Sequence, residues 1–244
     1  EIVSRDWSSD VCSSDLADLH CHSVVSDGTL TPEELAARAK ANGVELWALT
    51  DHDEIRGQAR AIAAAKSQGM QYLTGTEISV TFAGQTVHIV GLGFDHEDAG
   101  MVDGLRKTRG GRGERAQEMS QGLAQVGIHG CYEGALKYVG NPELISRTHF
   151  ARYLVESGVC ADTHEVFRKF LTEGKPGFVP HRWASLKEAV QWITEAKGIA
   201  IIAHPGRYNF TPTEEFAFFT EFKNHGGQGV EVVTGSHTTA EYVK

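Results

Sequence analysis

Short apolar strands that run directly into histidine or carboxylate residues constrain this chain more than any other feature. Leu46-Trp47-Ala48-Leu49-Thr50 leads straight into Asp51-His52-Asp53, and Gly198-Ile199-Ala200-Ile201-Ile202-Ala203 leads straight into His204-Pro205. Helices are predicted between such strands. Thr31-Pro32-Glu33-Glu34 is a capping box with proline at the first helical position, and it opens a helix that Asn42-Gly43 closes. Further helices are expected over Ile55–Gln68, Ser185–Lys197 and Thr213–Asn224, and further strands over Tyr72–Thr74, Ile78–Phe82, Thr86–Leu92 and Gly229–Thr234. Strands alternating with helices imply a parallel sheet, open or closed into a barrel. In β/α barrels the active site is built at the strand ends. His20, Asp51-His52, Glu77, His204 and His237 all lie at or near such ends, so one rim would gather them.

The middle of the chain has a different character. From about Ala99 to Glu173 the pattern is mostly helical, which suggests an inserted helical subdomain. Residues 1–16 carry neither helical nor strand periodicity and contain the near-repeat Ser8-Ser9-Asp10 and Ser13-Ser14-Asp15; they read as a non-native leader. The other end stops inside what looks like a new helix, so the chain is read as C-terminally truncated.

Composition narrows the chemistry. Twelve histidines in 244 residues exceed anything fold stability asks for, whereas metal coordination and proton transfer use them. Lys and Arg total 23 against 32 Asp and Glu, a formal net charge of −9, which argues against coating long DNA or RNA. No apolar run approaches the roughly 18 residues of a membrane span. Four cysteines with no C-x-x-C pair read as reduced thiols, which fits a cytoplasmic protein.

Individual motifs are weak, and each has a bland reading. In His20-Cys21-His22 the two imidazoles point the same way on an extended strand and can share an ion; a pair of surface histidines is equally consistent. Asp27-Gly28 is close enough for its carboxylate to join. Asp51-His52-Asp53 flanks an imidazole with carboxylates, although an exposed turn with Asp53 as helix cap is the commoner outcome. Glu77 faces His88 across a predicted hairpin and could bridge two ions. Ser146-Arg147-Thr148-His149 puts a histidine and a cation at a helix start. Histidine and carboxylate donors without cysteine suit Mn²⁺, Fe²⁺ or Zn²⁺. Seven candidate ligands exceed the needs of one ion; two or three ions sharing Glu77 would use them. Such clusters clamp displacement at phosphorus. Arg147, Lys175, Arg207 and the run Arg106, Lys107, Arg109, Arg112 and Arg115 would complement phosphate, unless that run is only a solvated helix face. No P-loop, G-x-S-x-G or Rossmann fingerprint is present.

Taken in order, Asp18-Leu19-His20-x-His22, Asp27-Gly28, Thr50-Asp51-His52-Asp53, Gly75-x-Glu77-Ile78-Ser79 and His88-Ile89-Val90-Gly91 resemble the PHP (polymerase and histidinol phosphatase) family. Arg147-x-His149-Phe150-Ala151-Arg152, Gly174-Lys175 and Ala203-His204-Pro205-Gly206-Arg207-Tyr208 are similar to its branch of nucleoside 3′,5′-bisphosphate phosphatases and 5′-end RNA exonucleases. The resemblance implies a distorted (β/α)7 barrel, formed by residues 17–98 and 182–244, with a helical insertion over 99–181. It implies two or three divalent ions, Mn²⁺ first and Zn²⁺ or Fe²⁺ as alternatives. His20 and His22 would hold one ion, Asp27 and His52 a second, His88 and His149 a third, and Glu77 would bridge. Arg115, Arg147, Lys175 and Arg207 would hold phosphates, with His204 assisting the leaving oxygen or contacting phosphate. The implied substrates are nucleoside 3′,5′-bisphosphates and short RNA. Two alternatives are another phosphomonoester, such as histidinol phosphate, and a non-catalytic metal- or nucleotide-binding module. The chain departs from the family pattern in lacking a late Asp-x-His. It also carries Gly110, Gly111 and Gly113 where the family has a basic helix, each costing roughly 1 kcal/mol in a helix interior.

Overall fold

The computed structural model describes residues 16–181 and 183–232. The expected leader therefore lies outside the described residues except for Leu16, and so do His237 and the end of the last predicted strand. Among the described residues six strands form one curled sheet in chain order: β1 (Leu16–Asp18), β2 (Val44–Leu49), β3 (Gln71–Phe82), β4 (Gln85–Leu92), β5 (Ile199–Ile202) and β6 (Gly229–Val230). Helices α1 (Pro32–Ala41) and α2 (Gln58–Ser67) link β1, β2 and β3, which run parallel.

The sheet is mixed, not wholly parallel as expected: β4 runs antiparallel to both β3 and β5. The connection decides this, because a two-residue link permits only an antiparallel neighbour. Ala83 (φ 45°) and Gly84 (φ 76°) both take positive φ, the geometry that matches the twist of a tight hairpin. The two separate strands expected around Gly75 are one continuous strand, β3. Gly75 allows this because a Cβ there would lie 2.6 Å from the Leu49 carbonyl oxygen. The helix expected from Ile55 starts instead at Gln58, since the Glu54 carboxylate accepts the N–H groups of Ile55 and Arg56 and holds a turn.

Between β4 and β5 lie α3 (Ala99–Arg109), α4 (Arg112–Gln125), α5 (Cys131–Leu136), α6 (Arg147–Glu156), α7 (Thr163–Val166) and α8 (Leu186–Glu195); α9 (Pro212–Asn224) precedes β6. The glycines break the basic helix as their propensity predicts: α3 ends at Arg109, and Gly111 (φ 80°) stands before α4. Packing divides the helices differently from the sequence pattern. Met101 and Leu105 of α3 join β3, β4, β5, α8 and α9 in one core. From α4 onward a second core gathers Met119, Leu123, Phe150, Leu154 and Leu171. By its contacts α3 thus sides with the sheet. Among the described residues no helix is long and apolar enough to cross a membrane.

Candidate metal centre

Backbone alternation aims the first two ligands. Cys21 pairs with Thr50 through Thr50 N–H to Cys21 O, 2.9 Å, so the chain just past β1 is extended beside β2. Cys21 then turns away, taking the Trp47 Nε1–H at 3.2 Å, while His20 and His22 point together to the opposite side. The loop that follows is held by Asp51, a buried carboxylate accepting Ser23 N–H, Ser23 Oγ–H and Ser26 Oγ–H at 2.6–2.7 Å. That tether delivers Asp27. Gly28 must be glycine here, because a Cβ would lie 2.1 Å from the His22 carbonyl oxygen.

Glu77, in the middle of β3 and 1 % exposed, is the centre of the cluster. Five imidazoles surround its carboxylate: His20 Nε2 at 3.2 Å, His22 Nε2 at 3.1 Å, His52 Nδ1 at 3.1 Å, His88 Nδ1 at 3.2 Å and His204 Nε2 at 2.9 Å. Burial alone would raise the Glu77 pKa, but the charges of His52, His88 and His20 outweigh it and hold the carboxyl well below its usual range. The same field acts on the rings. Burial opposes charging of His20, yet Glu77 and Glu231 push it up to about 10.

The donors fit metal ions better than they fit one another. His52 Nδ1 and His88 Nδ1 stand 3.1 and 3.2 Å from Glu77 oxygens yet make no hydrogen bond. Two ligands bound to one ion at about 2.0–2.2 Å, at roughly a right angle, are about 3 Å apart. His22 Nδ1, His204 Nδ1 and His149 Nε2 are likewise buried without hydrogen-bond partners among the described residues. Orphaned buried nitrogens are costly unless something else satisfies them. Among the described residues three overlapping groups could each hold an ion: His20, Glu77 and His204; His22, Asp27 and His52; and His52, Glu77 and His88.

Six of the seven ligands expected from sequence thus come together. His149 is buried at the start of α6, its Nδ1 accepting Ser146 N–H at 3.0 Å; it neighbours Asp27 but belongs to none of the three groups. His204, expected to meet the substrate, instead shares a group with His20 and Glu77. Its φ of 28° shows a backbone turned to bring the ring in.

Beside the cluster lies a cavity of about 250 Å³ onto which Asp27, His52 and His88 face; Arg112, Arg115, Arg147 and Arg207 line it, with Phe167 and Trp183. Lys175 is exposed and does not line it. Arg115 and Arg147 have no carboxylate partner among the described residues, and burial, reinforced by neighbouring guanidiniums, pushes Arg115 down to about 10 and lowers Arg147. The basic run is therefore a solvated face only in part. Arg106 is exposed and pairs with Asp103, whereas Arg112 and Arg115 point inward.

Sequence reasoning missed three residues. Asp53 is no helix cap: fully buried at φ 50°, it accepts Ser79 N–H (2.7 Å) and Ser79 Oγ–H (2.8 Å) and pairs with Arg112. Arg112 is named in the sequence only within a basic run offered to phosphate, without its Asp53 partner, and Glu231, which accepts from His20 at 2.7 Å, is read only as part of a strand. The available signal was a single carboxylate interrupting Gly229-Val230-x-Val232.

A curled α/β sheet carrying histidine and carboxylate donors on and just beyond its strands, beside an arginine-lined cavity, defines a hydrolase that acts on phosphoesters through divalent ions. The chain belongs to the PHP family: the PHP domain model matches residues 18–196. It is 52 % identical over 221 residues to a 3′,5′-nucleoside bisphosphate phosphatase of Chromobacterium violaceum, covering 91 % of this chain and 78 % of that one. A 5′-3′ exoribonuclease of Haemophilus influenzae is 43 % identical, with 91 % and 80 % covered. A solved amidohydrolase structure from Chromobacterium violaceum, holding sulfate and no metal, matches with a TM-score of 0.91 at 51 % identity over 93 % of this chain and 80 % of that one.

Proposed function

We propose that this metal-dependent phosphoesterase removes the 3′-phosphate from nucleoside 3′,5′-bisphosphates and trims short RNA from its 5′ end. The observation that carries the reading is the juxtaposition of Glu77 and its five imidazoles with a cavity lined by Arg112, Arg115, Arg147 and Arg207. Two phosphates of different fate need two sites of different character, one that reacts and one that only holds. The names of the relatives support the same substrates.

His20, His22, Asp27, His52, Glu77, His88 and His204 would hold two or three divalent ions, Mn²⁺ first, with Zn²⁺ or Fe²⁺ as alternatives. Such ions supply a nucleophile from water near neutral pH and stabilise charge at phosphorus. The Glu77 carboxyl, held well below its usual range by the surrounding imidazoles, offers two anionic oxygens that could bridge two cations. Arg115, Arg147 and Arg207 bind the phosphate that is not cleaved; an anion there relieves the mutual repulsion of buried guanidiniums. Phe167 and Trp183 offer apolar walls to the nucleoside. The thiols Cys21, Cys131 and Cys160 are free, which suits a cytoplasmic setting.

The test is phosphate release from adenosine 3′,5′-bisphosphate by protein stripped with a chelator and reloaded with Mn²⁺. Release of one phosphate per substrate, leaving the 5′-monophosphate, is expected only after reloading. Reloaded protein that retains metal yet releases no phosphate defeats the substrate assignment.

A further inference from the structure

Glu231 lies just past β6, at the opposite edge of the sheet from His20. Its backbone N–H donates to Ile202 O at 2.9 Å, so the residue is anchored to β5. Its carboxylate then spans the opening of the curled sheet. Oε1 lies 2.7 Å from His20 Nδ1, and Oε2 accepts the His204 backbone N–H at 2.7 Å. One side chain therefore contacts both histidines of the His20, Glu77 and His204 group, while Glu231 itself belongs to none of the candidate ion groups.

The chemistry of these contacts is directional. A carboxylate only accepts, so His20 must carry a proton on Nδ1 to satisfy it. The Nε2 atom, 3.2 Å from Glu77 Oε2, is then the ring nitrogen with a lone pair available to an ion. The second oxygen acts on His204 through the main chain. That residue holds φ 28° and ψ 57°, a left-handed backbone that needs an external tether, and the hydrogen bond from its N–H supplies one. Neither contact is local: 211 and 27 residues of chain separate the partners.

We propose that Glu231 is a positioning residue that fixes the tautomer of His20 and the backbone of His204, and thereby sets the affinity of the ion held by His20, Glu77 and His204. This rests on the reading of the cluster as a metal centre. Glutamine has one carbonyl oxygen for two N–H donors, so Glu231→Gln keeps the shape but at most one of the two bonds at full strength.

The experiment measures metal affinity and count by chelator competition, with Zn²⁺ and Mn²⁺ as probes, in wild-type protein, Glu231→Gln and Glu231→Asp. Long-range ¹H–¹⁵N spectra of the zinc-loaded protein report the His20 tautomer, and thermal midpoints report folding. Wild type is expected to show His20 protonated only at Nδ1. Glu231→Gln is expected to bind one ion about 10–100-fold more weakly, the usual effect of removing a residue that orients a ligand. The remaining ions keep wild-type affinity. Glu231→Asp retains the charge but is one methylene too short to span both partners, and it is expected to show the same single-ion loss; it carries the test if the glutamine variant misfolds. A lower thermal midpoint with unchanged metal affinities, or an equal loss at every ion, overturns the proposal and leaves Glu231 a structural residue. Failure of wild type to bind any divalent ion overturns the metal-centre reading, and this inference with it.

Discussion

Asp53→Ala isolates the brace that holds Arg112 in the cavity wall. The wild-type carboxylate is fully buried and accepts three donors, Ser79 N–H, Ser79 Oγ–H and the Arg112 guanidinium; Arg112 is only 5 % exposed. Alanine removes all three acceptors and leaves a buried guanidinium without its counter-charge. Breaking a buried pair from one side costs about 3–5 kcal/mol, because desolvation of the remaining charge is no longer offset. Two ordinary hydrogen bonds to Ser79 add roughly 1 kcal/mol each, partly recovered by water. Against a typical total of about 5–15 kcal/mol this is a large loss. At ~2–4 °C per kcal/mol for a chain of this size, a fall of 10 °C or more in thermal midpoint is expected. The assay is urea and thermal denaturation of wild type, Asp53→Ala, Arg112→Leu and the double variant. If the orphaned charge causes the loss, the double variant is more stable than Asp53→Ala. A cost below about 1 kcal/mol for Asp53→Ala, or a double variant that merely sums the single losses, refutes the argument and makes Arg112 a solvated side chain.

Two further outcomes follow from the cavity and the buried histidines. Arg147→Ala should lower kcat/KM for adenosine 3′,5′-bisphosphate by about 10–100-fold, mainly through KM, as expected for one charge-assisted hydrogen bond of roughly 1.5–3 kcal/mol. Adenosine 3′-monophosphate, which lacks the held phosphate, should be hardly affected, and equal losses for both substrates contradict the assignment. Burial pushes His149 down to about 4, so between pH 6.5 and 4 the unfolded chain takes up a proton that the folded chain refuses. Stability of the metal-free protein therefore falls as pH drops through that window. His20, pushed up to about 10, stabilises below pH 6.5 and loses that contribution only as pH rises towards 10, so it does not cancel the effect. Urea midpoints at pH 7 and pH 5 check this; His149→Gln should reduce the difference and leave the part due to His52, which burial also pushes down to about 4, and a midpoint that rises on acidification rules the argument out.

Much of the site was legible because its members announce themselves by type and order. The structure gathers His20, His22, Asp27, His52, Glu77 and His88, although Glu77 and His88 lie within β3 and β4 and not at the strand ends expected of them. The bend at Gly110 and Gly111 followed from propensity alone. The basic run was not legible in the same way. Arg106, Arg112 and Arg115 share a composition, but only stacking on Trp183, with the Asp53 pair for Arg112, turns Arg112 and Arg115 inward, and nothing in a helical period says which face meets a cavity. Lys175 shows the converse error, a plausible cation left in solvent. His204 was placed correctly at a strand end, yet its partners depend on a φ that no neighbouring residue dictates.

The sequence by itself determined what is local: the capped starts of α1, α8 and α9, each closed by a Thr or Ser hydroxyl and a Glu three residues on, the Ala83-Gly84 hairpin, and the identities of the donors. These depend on interactions within three or four residues, which the chain specifies before it folds. The tertiary structure alone decided which donors share an ion. His204 meets Glu77 across 127 residues and Glu231 meets His20 across 211. Those distances are closed by the curl of the sheet and the antiparallel placement of β4, and both arise from packing summed over the whole core.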